Sequence, residues 1–377
     1  MILAITWSFD PEIVNLPSLS PRWYGLLFAI AFYSGYIILR KIWLKEGLTE
    51  KQLDKFSWFV IIATLVGARL GHVFFYGPYY DQFDDFGLLI QEGYLDHPWS
   101  ILNIREGGLA SHGAALGILM ALWLYKRVSK LDKSYLWIVD RLVIVVALGG
   151  ALVRVGNFAN SEIIGKPTNS ENGVVFMHSA SGRLEKMVDD EEQGLASFDI
   201  SEAKGDTIID SLQYQKYTLE VTYEGEKERF GSFVAYMLGG SLNTSDPTYR
   251  HTWFDGQQAY EVESAGNTHK ATLTLYGLPR HPAQLYEAFC YVLIFLLLFM
   301  LYQKYGTSIS EGLLFGTFLA TVFTARFIIE FVKENQVDFE AGRALNQGQL
   351  LSIPFVAVGL GLIIYSLLRK KKVQASS

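Results

Sequence analysis

The residues of this sequence that could do chemistry are concentrated in the stretch 151–165, ALVRVGNFANSEIIG. An apolar run leads to Arg154, and Asn157, Asn160 and Glu162 follow. At helical spacing the first three drift slowly across one helix face. A charged side chain at the centre of a membrane span costs about 2.5–3.5 kcal/mol on insertion scales. We therefore expect this group to face a protein interior or a water-filled cavity rather than lipid.

A helix end is the alternative explanation of the same stretch. Gly156 and Gly165 weaken helices, and the polar side chains would then lie at the membrane interface without a further role. The stretch combines a guanidinium, two amides and a carboxylate within a short distance along the chain. This density and mixture favour a functional site.

More polar groups lie within or beside other apolar segments, and a shared membrane depth would gather them into one polar cavity. Arg326 and Glu330, at i and i+4, could simply neutralise each other, and His112 could be structural instead of a base or hydrogen-bond donor. Guanidinium groups bind phosphate bidentately, so the cavity would suit an anionic head group. The candidates are Tyr24, Arg69, His72, His112, Gln284, Tyr286, Glu287, Arg326 and Glu330.

The elements that must position these side chains are apolar segments long enough to be membrane helices. The sequence predicts an all-α polytopic membrane protein with seven transmembrane helices, near 23–39, 56–76, 109–125, 135–155, 283–302, 312–332 and 350–368. Glycines at GxxxG spacing predict close helix packing at Gly67/Gly71, Gly113/Gly117 and Gly312/Gly316.

A polar insert interrupts the apolar chain and divides it into three segments. Residues 166–280 hold 10 basic and 18 acidic side chains, whereas the rest of the 377 residues hold 22 and 20. We expect membrane segments at 1–165 and 281–377 and a β-rich extracytoplasmic head insert at 166–280. Period-2 runs at 217–223 and 268–276 predict strands, and the acidic stretch 185–210 predicts a mobile segment.

Orientation follows from the basic residues. With the N-terminus outside, inner loops hold 14 lysines and arginines, against four in the short outer loops. This predicts a cytoplasmic C-terminus and an extracytoplasmic head. The outer loop 77–108 is rich in aromatic residues, which predicts a segment lying on the membrane.

Composition excludes several classes of function. The net charge of −6 argues against nucleic acid as a partner. Cys290 is the single cysteine, so an internal disulfide and a cysteine-based metal cluster are excluded, and the sequence shows no other cluster of metal ligands. The N-terminus lacks a basic region before its apolar residues, so no cleavable signal peptide is expected.

The motifs together resemble the prolipoprotein diacylglyceryl transferase family of bacteria. The likeness is carried by RVGNFANSEIIG at 154–165, HPAQLYEA at 281–288, WYG at 23–25, SHGAALG at 111–117 and ARFIIEF at 325–331. It covers nearly the whole chain except the head insert. Three departures are Ser161 where the family usually has Gly, Ala114 in a glycine pair, and Val322-Phe323 where a Tyr often stands.

The resemblance implies a multi-pass enzyme of the bacterial inner membrane that needs no cofactor. Its substrates would be phosphatidylglycerol and the lipobox cysteine of a prolipoprotein signal peptide, both held among membrane lipids. It implies His112, Arg154, Glu162 and Arg326 as catalytic residues, with His112 the first candidate base and Glu162 the second. Residues expected to bind substrate are Tyr24, Arg69, Asn157, Asn160, Gly165, Gln284, Tyr286, Glu287 and Glu330.

Two other classes of function remain as alternatives. A secondary transporter of an anionic solute would also place arginines within a helix bundle, but it predicts an internal repeat that the two halves of the chain do not show. A membrane receptor that uses the head insert would not need buried Arg, Asn and Glu in three separate spans.

Overall fold

The computed structural model describes residues 4–14, 20–77, 79–80, 82–83, 89–91, 93–102, 110–170, 172–178, 195–209, 211–236, 238, 252–254, 258–334 and 344–375. The chain divides into two compact units. The first contains 1–28, 150–291 and 323–354, and the second contains 29–149, 292–322 and 355–377. These bounds differ from the three segments expected from the sequence, and the units are described separately below.

Eight α-helices occur in the described part of the chain. Helix α5 (Lys227–Tyr236) belongs to the polar insert, and the other seven correspond to the seven predicted spans. These are α1 (Trp23–Lys45), α2 (Glu50–Phe75), α3 (Ser111–Ser129), α4 (Tyr135–Ala159), α6 (Ala283–Tyr305), α7 (Leu313–Ile329) and α8 (Gln347–Ala375).

Five of these helices, namely α1, α2, α4, α6 and α8, are long and apolar enough to cross a membrane. Helix α7 is apolar but has only 17 residues, and α3 does not meet the same criteria. The chain is therefore mostly helical with five candidate membrane spans, and the number seven remains a prediction. Much of the outer loop 77–108 lies outside the described residues, so its position on a membrane is also untested.

Glycines bring helices of the second unit into close contact, as their spacing predicts. A Cβ at Gly67 or Gly71 would overlap the backbone of Gly113, and one at Gly117 would meet the carbonyl of Ala63. Helices α2 and α3 therefore touch backbone to backbone. Gly316 similarly faces the Gly359 carbonyl. Gly312 differs, because it adopts φ +87° just before α7. A Cβ at Gly312 would only make ordinary van der Waals contact with Leu136, at 3.6 Å.

Buried polar side chains fix helix ends in this second unit. Asp140 on α4 accepts hydrogen bonds from the backbone N–H groups of Gly312 and Phe315, each 2.7 Å long, and so caps the start of α7. Arg141 forms a buried ion pair of 3.0 Å with Glu46, which also accepts from the Trp137 indole at 2.8 Å. These contacts hold the ends of α1, α4 and α7 together.

A five-stranded sheet lies in the polar insert, within the first unit. Strands β5 (Leu195–Ile209), β6 (Leu212–Glu224), β9 (Thr268–Gly277) and β7 (Thr252–Phe254) follow in that order, and β8 (Val262–Ala265) also pairs with β9. All these pairs are antiparallel. Alternate residues of β6 and β9 are buried with α5 in one apolar core, so the two strands predicted from period-2 patterns are confirmed.

The predicted mobile segment at 185–210 is wrong for its described part. Leu195–Ile209 forms the longest strand of the sheet, with β6 as its neighbour. Its polar residues Asp199, Ser201 and Glu202 are exposed, which explains why composition suggested disorder. The remaining residues, 185–194 and 210, lie outside the described part.

Short strands complete the architecture. In the first unit β1 (Ile5–Trp7) pairs in parallel with β4 (Val174–Phe176), and in the second unit β2 (Gln82–Phe83) pairs with β3 (Leu89–Gln91). Isolated bridges join Gly165 to Lys333 and Arg280 to both Pro167 and Val174. We name the segments 164–168, 279–281 and 332–334 the junction, because they connect the sheet to the ends of α4, α6 and α7.

Candidate active site

Arg154 lies near the end of α4 and faces α6, as expected for a polar group that avoids lipid. Its Nε forms an ion pair with the Glu287 carboxylate, and its guanidinium also hydrogen-bonds to the Tyr291 hydroxyl. Glu287 is 1% exposed, and Tyr291 follows it by one helical turn. One carboxylate therefore neutralises Arg154 inside the protein while a phenol orients its planar group.

Arg326 supplies a second guanidinium near the end of α7. Its Nε lies 3.5 Å from the carboxylate of Glu330, and it also interacts electrostatically with Tyr291. The buried Glu330 carboxylate accepts a further 3.0 Å hydrogen bond from the Asn346 side chain. Tyr291 is thus a neighbour shared by both arginines, each of which has its own carboxylate.

Lys333 lies close to both carboxylates, those of Glu287 and Glu330. Its ammonium lies 2.9 Å from Glu330 and 4.0 Å from Glu287, and the residue is 2% exposed. We name this group the arginine cluster. Its six members are Arg154, Glu287, Tyr291, Arg326, Glu330 and Lys333.

Asn157, Asn160 and Glu162 form a second set of contacts in the same unit. Both amide groups donate to the Glu162 carboxylate, at 3.3 Å from Asn157 and 3.1 Å from Asn160. The side-chain amide oxygen of Asn157 in turn accepts a hydrogen bond from the Arg154 guanidinium at 3.5 Å. Tyr24 packs over Gly156 and interacts electrostatically with Glu162 and Arg154. The stretch 154–162 therefore forms one connected network, with Glu162 at its exposed end.

The backbone on both sides of Glu162 adopts an unfavourable conformation. Ser161 has φ +55° and Ile163 has φ +56°, in the left-handed region that non-glycine residues avoid. For a β-branched residue such as Ile163 this is a marked outlier. We name residues 161–163 the strained turn. Each such residue costs about 1–3 kcal/mol and persists only when its surroundings enforce it.

The junction provides those surroundings. The Gln284 side chain, which is fully buried, donates to the Glu162 backbone carbonyl at 2.5 Å. The Gly165 N–H donates to the His281 carbonyl at 2.9 Å, and a Cβ at Gly165 would overlap that carbonyl and the Val332 carbonyl. Gly165 is therefore required by close backbone approach. Tyr286 is partly exposed, and its hydroxyl lies 3.3 Å from His281 Nδ1.

Arg280 is buried in the middle of the junction. Its guanidinium donates to the Glu334 carboxylate at 2.8 Å and to the Gly165 carbonyl at 3.3 Å. Burial lowers the pKa of Arg280, and the Glu334 carboxylate opposes that shift. Burial likewise lowers the pKa of His281.

Two expected site residues, Arg69 and His112, belong to the second unit. Arg69 donates to the backbone carbonyls of Ile101 and Ser100, at 2.8 and 2.5 Å, and thereby holds the short 3₁₀ helix Pro98–Leu102. His112 lies in the first turn of α3, is exposed, and has its ring against Phe75 and Tyr76. Arg69 therefore has a structural role in holding this helix, whereas the imidazole ring of His112 is exposed.

Sequence reasoning missed Tyr291, Lys333 and Arg280 as members of these networks. Tyr291 could have been found, because it is one turn after Glu287 on the same helix face. In the sequence Lys333 is one of the four basic residues of the short outer loops and contributes only to the predicted orientation. Arg280 directly precedes the HPAQLYEA motif and has no predicted role.

The arrangement can bind and stabilise an anion. Two guanidinium groups and an ammonium converge on two carboxylates in a largely buried site, where charge interactions are strong. In the part of the chain that the structure describes, no group of three or more His, Cys, Asp or Glu side chains could hold a metal ion. The side chains of the cluster offer charge stabilisation, hydrogen bonding and proton transfer.

Comparisons with known proteins give one consistent result. A family model described as prolipoprotein diacylglyceryl transferase matches residues 11–365. A phosphatidylglycerol–prolipoprotein diacylglyceryl transferase of Tolumonas auensis is 35% identical over 366 residues, which are 97% of this chain and 99% of that protein. Proteins of the same name from Chloroherpeton thalassium and Bacteroides fragilis are 31% and 30% identical over 96% and 97% of this chain, and over 94% and 96% of their own lengths.

Proposed function

This chain belongs to the prolipoprotein diacylglyceryl transferase family, and from that premise we propose that its arginine cluster holds the phosphate of phosphatidylglycerol during transfer to a lipobox cysteine. The chain is a transferase that uses phosphatidylglycerol and a prolipoprotein as substrates. It is a multi-pass membrane protein. The roles of individual residues, the lipobox thiol as acceptor and the membrane orientation are the parts that we propose.

The proposed reaction is an alkyl transfer to sulfur. The cysteine thiolate attacks C3 of the glycerol that carries the two acyl chains, and a C–S bond forms. The C–O bond between that carbon and the phosphate breaks, and its electron pair leaves with the phosphate oxygen. The products are a thioether and sn-glycerol 1-phosphate. Negative charge therefore increases on the phosphate as the reaction proceeds.

Arg154 and Arg326 are the groups that we propose to stabilise this charge. The observation that carries the proposal is the pairing of each arginine with its own buried carboxylate, Arg154 with Glu287 and Arg326 with Glu330, while the ammonium of Lys333 lies near both carboxylates. With Lys333 the cluster has three cations and two carboxylates, so one positive charge remains for a phosphate diester of one negative charge. Charge preorganised in this way lowers the barrier without reorganisation during the reaction.

The remaining residues would position the substrates and accept the thiol proton. Asn157, Asn160, Tyr24 and Gly165 would shape the head-group site beside Glu162, and Gln284, Tyr286 and Glu287 would support it from α6. His112 is our first candidate for the base, because it is exposed at the start of a helix, and Glu162 is the second. Arg69 is a further residue that we propose to bind substrate.

The proposed topology has seven spans in the bacterial inner membrane. The polar insert 166–280 would form an extracytoplasmic head between membrane segments 1–165 and 281–377, with the C-terminus in the cytoplasm. The excess of basic residues in the inner loops supports this orientation. Both substrates are held by the membrane, one by its acyl chains and one by its signal helix, so a site within the helices would reach both.

The proposal is tested by changing each arginine. We expect Arg154→Ala and Arg326→Ala to lower transfer from labelled phosphatidylglycerol to a lipobox peptide by at least about 10³-fold, because each removes charge stabilisation of the leaving phosphate. Lysine in either position should retain part of the rate. Both variants should still insert and elute as folded protein in detergent. Lys270→Met, which breaks an exposed ion pair on the sheet, is the control and should remain active.

Full activity of either alanine variant would refute the role of the cluster in binding phosphate. A transporter of an anionic solute has no support among the relatives described above, all of which are named as transferases.

A further inference from the structure

We propose that Arg280 is a positioning residue for the transfer reaction, which aims the Glu162 carboxylate by locking the strained turn onto the junction. The inference rests on the proposed function of Glu162. Arg280 is not among the residues that the sequence pattern indicated, and its side chain donates to Glu334 and to the backbone carbonyl of Gly165. Its influence would pass through backbone.

The first step of the argument is burial. Arg280 is 0% exposed, and it donates to the Glu334 carboxylate and the Gly165 carbonyl. Burial of a guanidinium is costly unless it is paired and hydrogen-bonded, and two apolar residues of similar volume are often as stable. A fully buried arginine paired with a partly exposed carboxylate is therefore better explained by the geometry that it specifies than by stability.

The second step is what the two ends of this bridge hold. Gly165 follows the strained turn directly, and Glu334 follows the segment that carries Glu330 and Lys333. The backbone N–H of Glu334 also donates to the Ile164 carbonyl, and that of Lys166 donates to the Val332 carbonyl. Arg280 thus fastens the chain after Glu162 to the chain after α7.

The backbone of Arg280 adds a third connection. It exchanges two hydrogen bonds of 2.9 Å with Val174, which belongs to β4. Residues 279–281 therefore form a strand-like strip with 165–168 on one side and Val174 on the other. A side chain fixed so firmly at its backbone can hold a carbonyl in place.

The third step is strain. Ser161 and Ile163 are both in the left-handed region, so the turn would relax if its neighbours did not enforce it. On its N-terminal side the turn is held by α4, because the N–H of Glu162 donates to the Asn157 carbonyl at 2.9 Å. On its C-terminal side the fixed points are Gln284, the Gly165 backbone and Arg280. Loss of Arg280 should let the turn relax and move the Glu162 carboxylate away from its amide donors.

The experiment compares Arg280→Met with Arg141→Met in the full-length protein in detergent with phosphatidylglycerol and a lipobox peptide. Arg141 is also buried and ion-paired, but it lies in the second unit and holds no part of the turn. We expect Arg280→Met to lower kcat by at least 30-fold while KM for phosphatidylglycerol changes less than threefold. Arg141→Met should lower thermal stability at least as much and retain kcat per folded molecule within threefold.

A double-mutant cycle tests whether Arg280 acts through Glu162. In a Glu162→Gln background, Arg280→Met should lower the remaining single-turnover rate by less than threefold, because the carboxylate that it aims is already absent. Glu334→Gln should reproduce part of the effect of Arg280→Met, and Arg280→Lys should rescue part of it. Independent losses that multiply in the double variant would overturn the proposal.

Hydrogen exchange of the peptide that contains 160–166 provides a readout that does not depend on activity. Arg280→Met should increase exchange there at least tenfold, and Arg141→Met should leave it unchanged. Equal exchange in both variants, or a loss of kcat no larger than the loss of folded protein, would show that Arg280 only supports the fold. If Arg154→Ala is inactive but Arg280→Met is fully active, the proposal on Arg280 fails and the proposed function stands. If Arg154→Ala is active, the proposed function fails first.

Discussion

At the scale of single residues, Glu162 shows how the position of one carboxylate depends on its neighbours. Two amide side chains donate to it, and both adjacent residues have positive φ values. Ser161 occupies the place where glycine is usual in the family that the sequence resembles, and glycine would adopt φ +55° without strain. This chain therefore tolerates a cost at Ser161, and the contacts of the junction must offset it.

The base can be identified by comparing His112→Gln with His97→Gln. A general base contributes about 10²–10⁴-fold, so His112→Gln should lower kcat by at least about 100-fold. The His97 side chain is exposed in the same unit and is not a candidate site residue, so His97→Gln is the matched control and should keep the wild-type rate. A rate within about threefold of wild type for His112→Gln would transfer the role to another group, with Glu162→Gln the next variant to measure.

The residues of the site could be predicted only where the sequence pattern is local. Arg154, Asn157 and Glu162 are close in the chain, so their polar types could be recognised as one group from the sequence, and the structure places them in contact. The pairing of Arg154 with Glu287 joins α4 to α6, and no local pattern predicts it. Lys333 and Arg280 were missed because a basic residue beyond the end of a helix is usually solvated, and only the folded chain shows these two to be buried.

At the scale of secondary structure elements, the α2–α3 contact is the feature most sensitive to side-chain size. We expect Gly113→Val to lower the thermal midpoint by at least about 5 °C, because the added carbons would overlap the Gly67 carbonyl and the Gly71 backbone, and overpacking costs about 1–3 kcal/mol or more. Gly361→Val on α8 is the control, since no atom lies within 4 Å of the position of its Cβ. Equal midpoints for the two variants would contradict this packing.

Elements with a clear hydrophobic period were predictable, and those without one were not. In the described part of the chain, the apolar runs located seven helices outside the insert to within seven residues at each end, and alternation located β6 and β9. Strand β5 was missed because it is at the edge of the sheet in the described part and its residues include exposed acids. A polar, acidic composition predicts disorder for such a strand, although pairing with β6 orders it.

At the scale of the whole molecule, the orientation in the membrane can be tested with single cysteines. The chain has one cysteine, so Cys290→Ser gives a background without thiols. We expect Asn267→Cys, in the turn between β8 and β9, to react with a membrane-impermeant maleimide in intact spheroplasts. Asp132→Cys, between α3 and α4, should react only after lysis. Both residues are exposed, so access to each thiol depends on the side of the membrane. The opposite labelling pattern would reverse the proposed topology.

The long strand β5 has a consequence for crowding at the membrane surface. An uncovered strand edge offers unpaired N–H and C=O groups to a second chain, and many proteins protect such edges with charge. The exposed Asp199, Glu202 and Asp206 lie along this strand. Two copies that met edge to edge would bring these carboxylates together, and their repulsion would keep neighbouring molecules from joining into a continuous sheet.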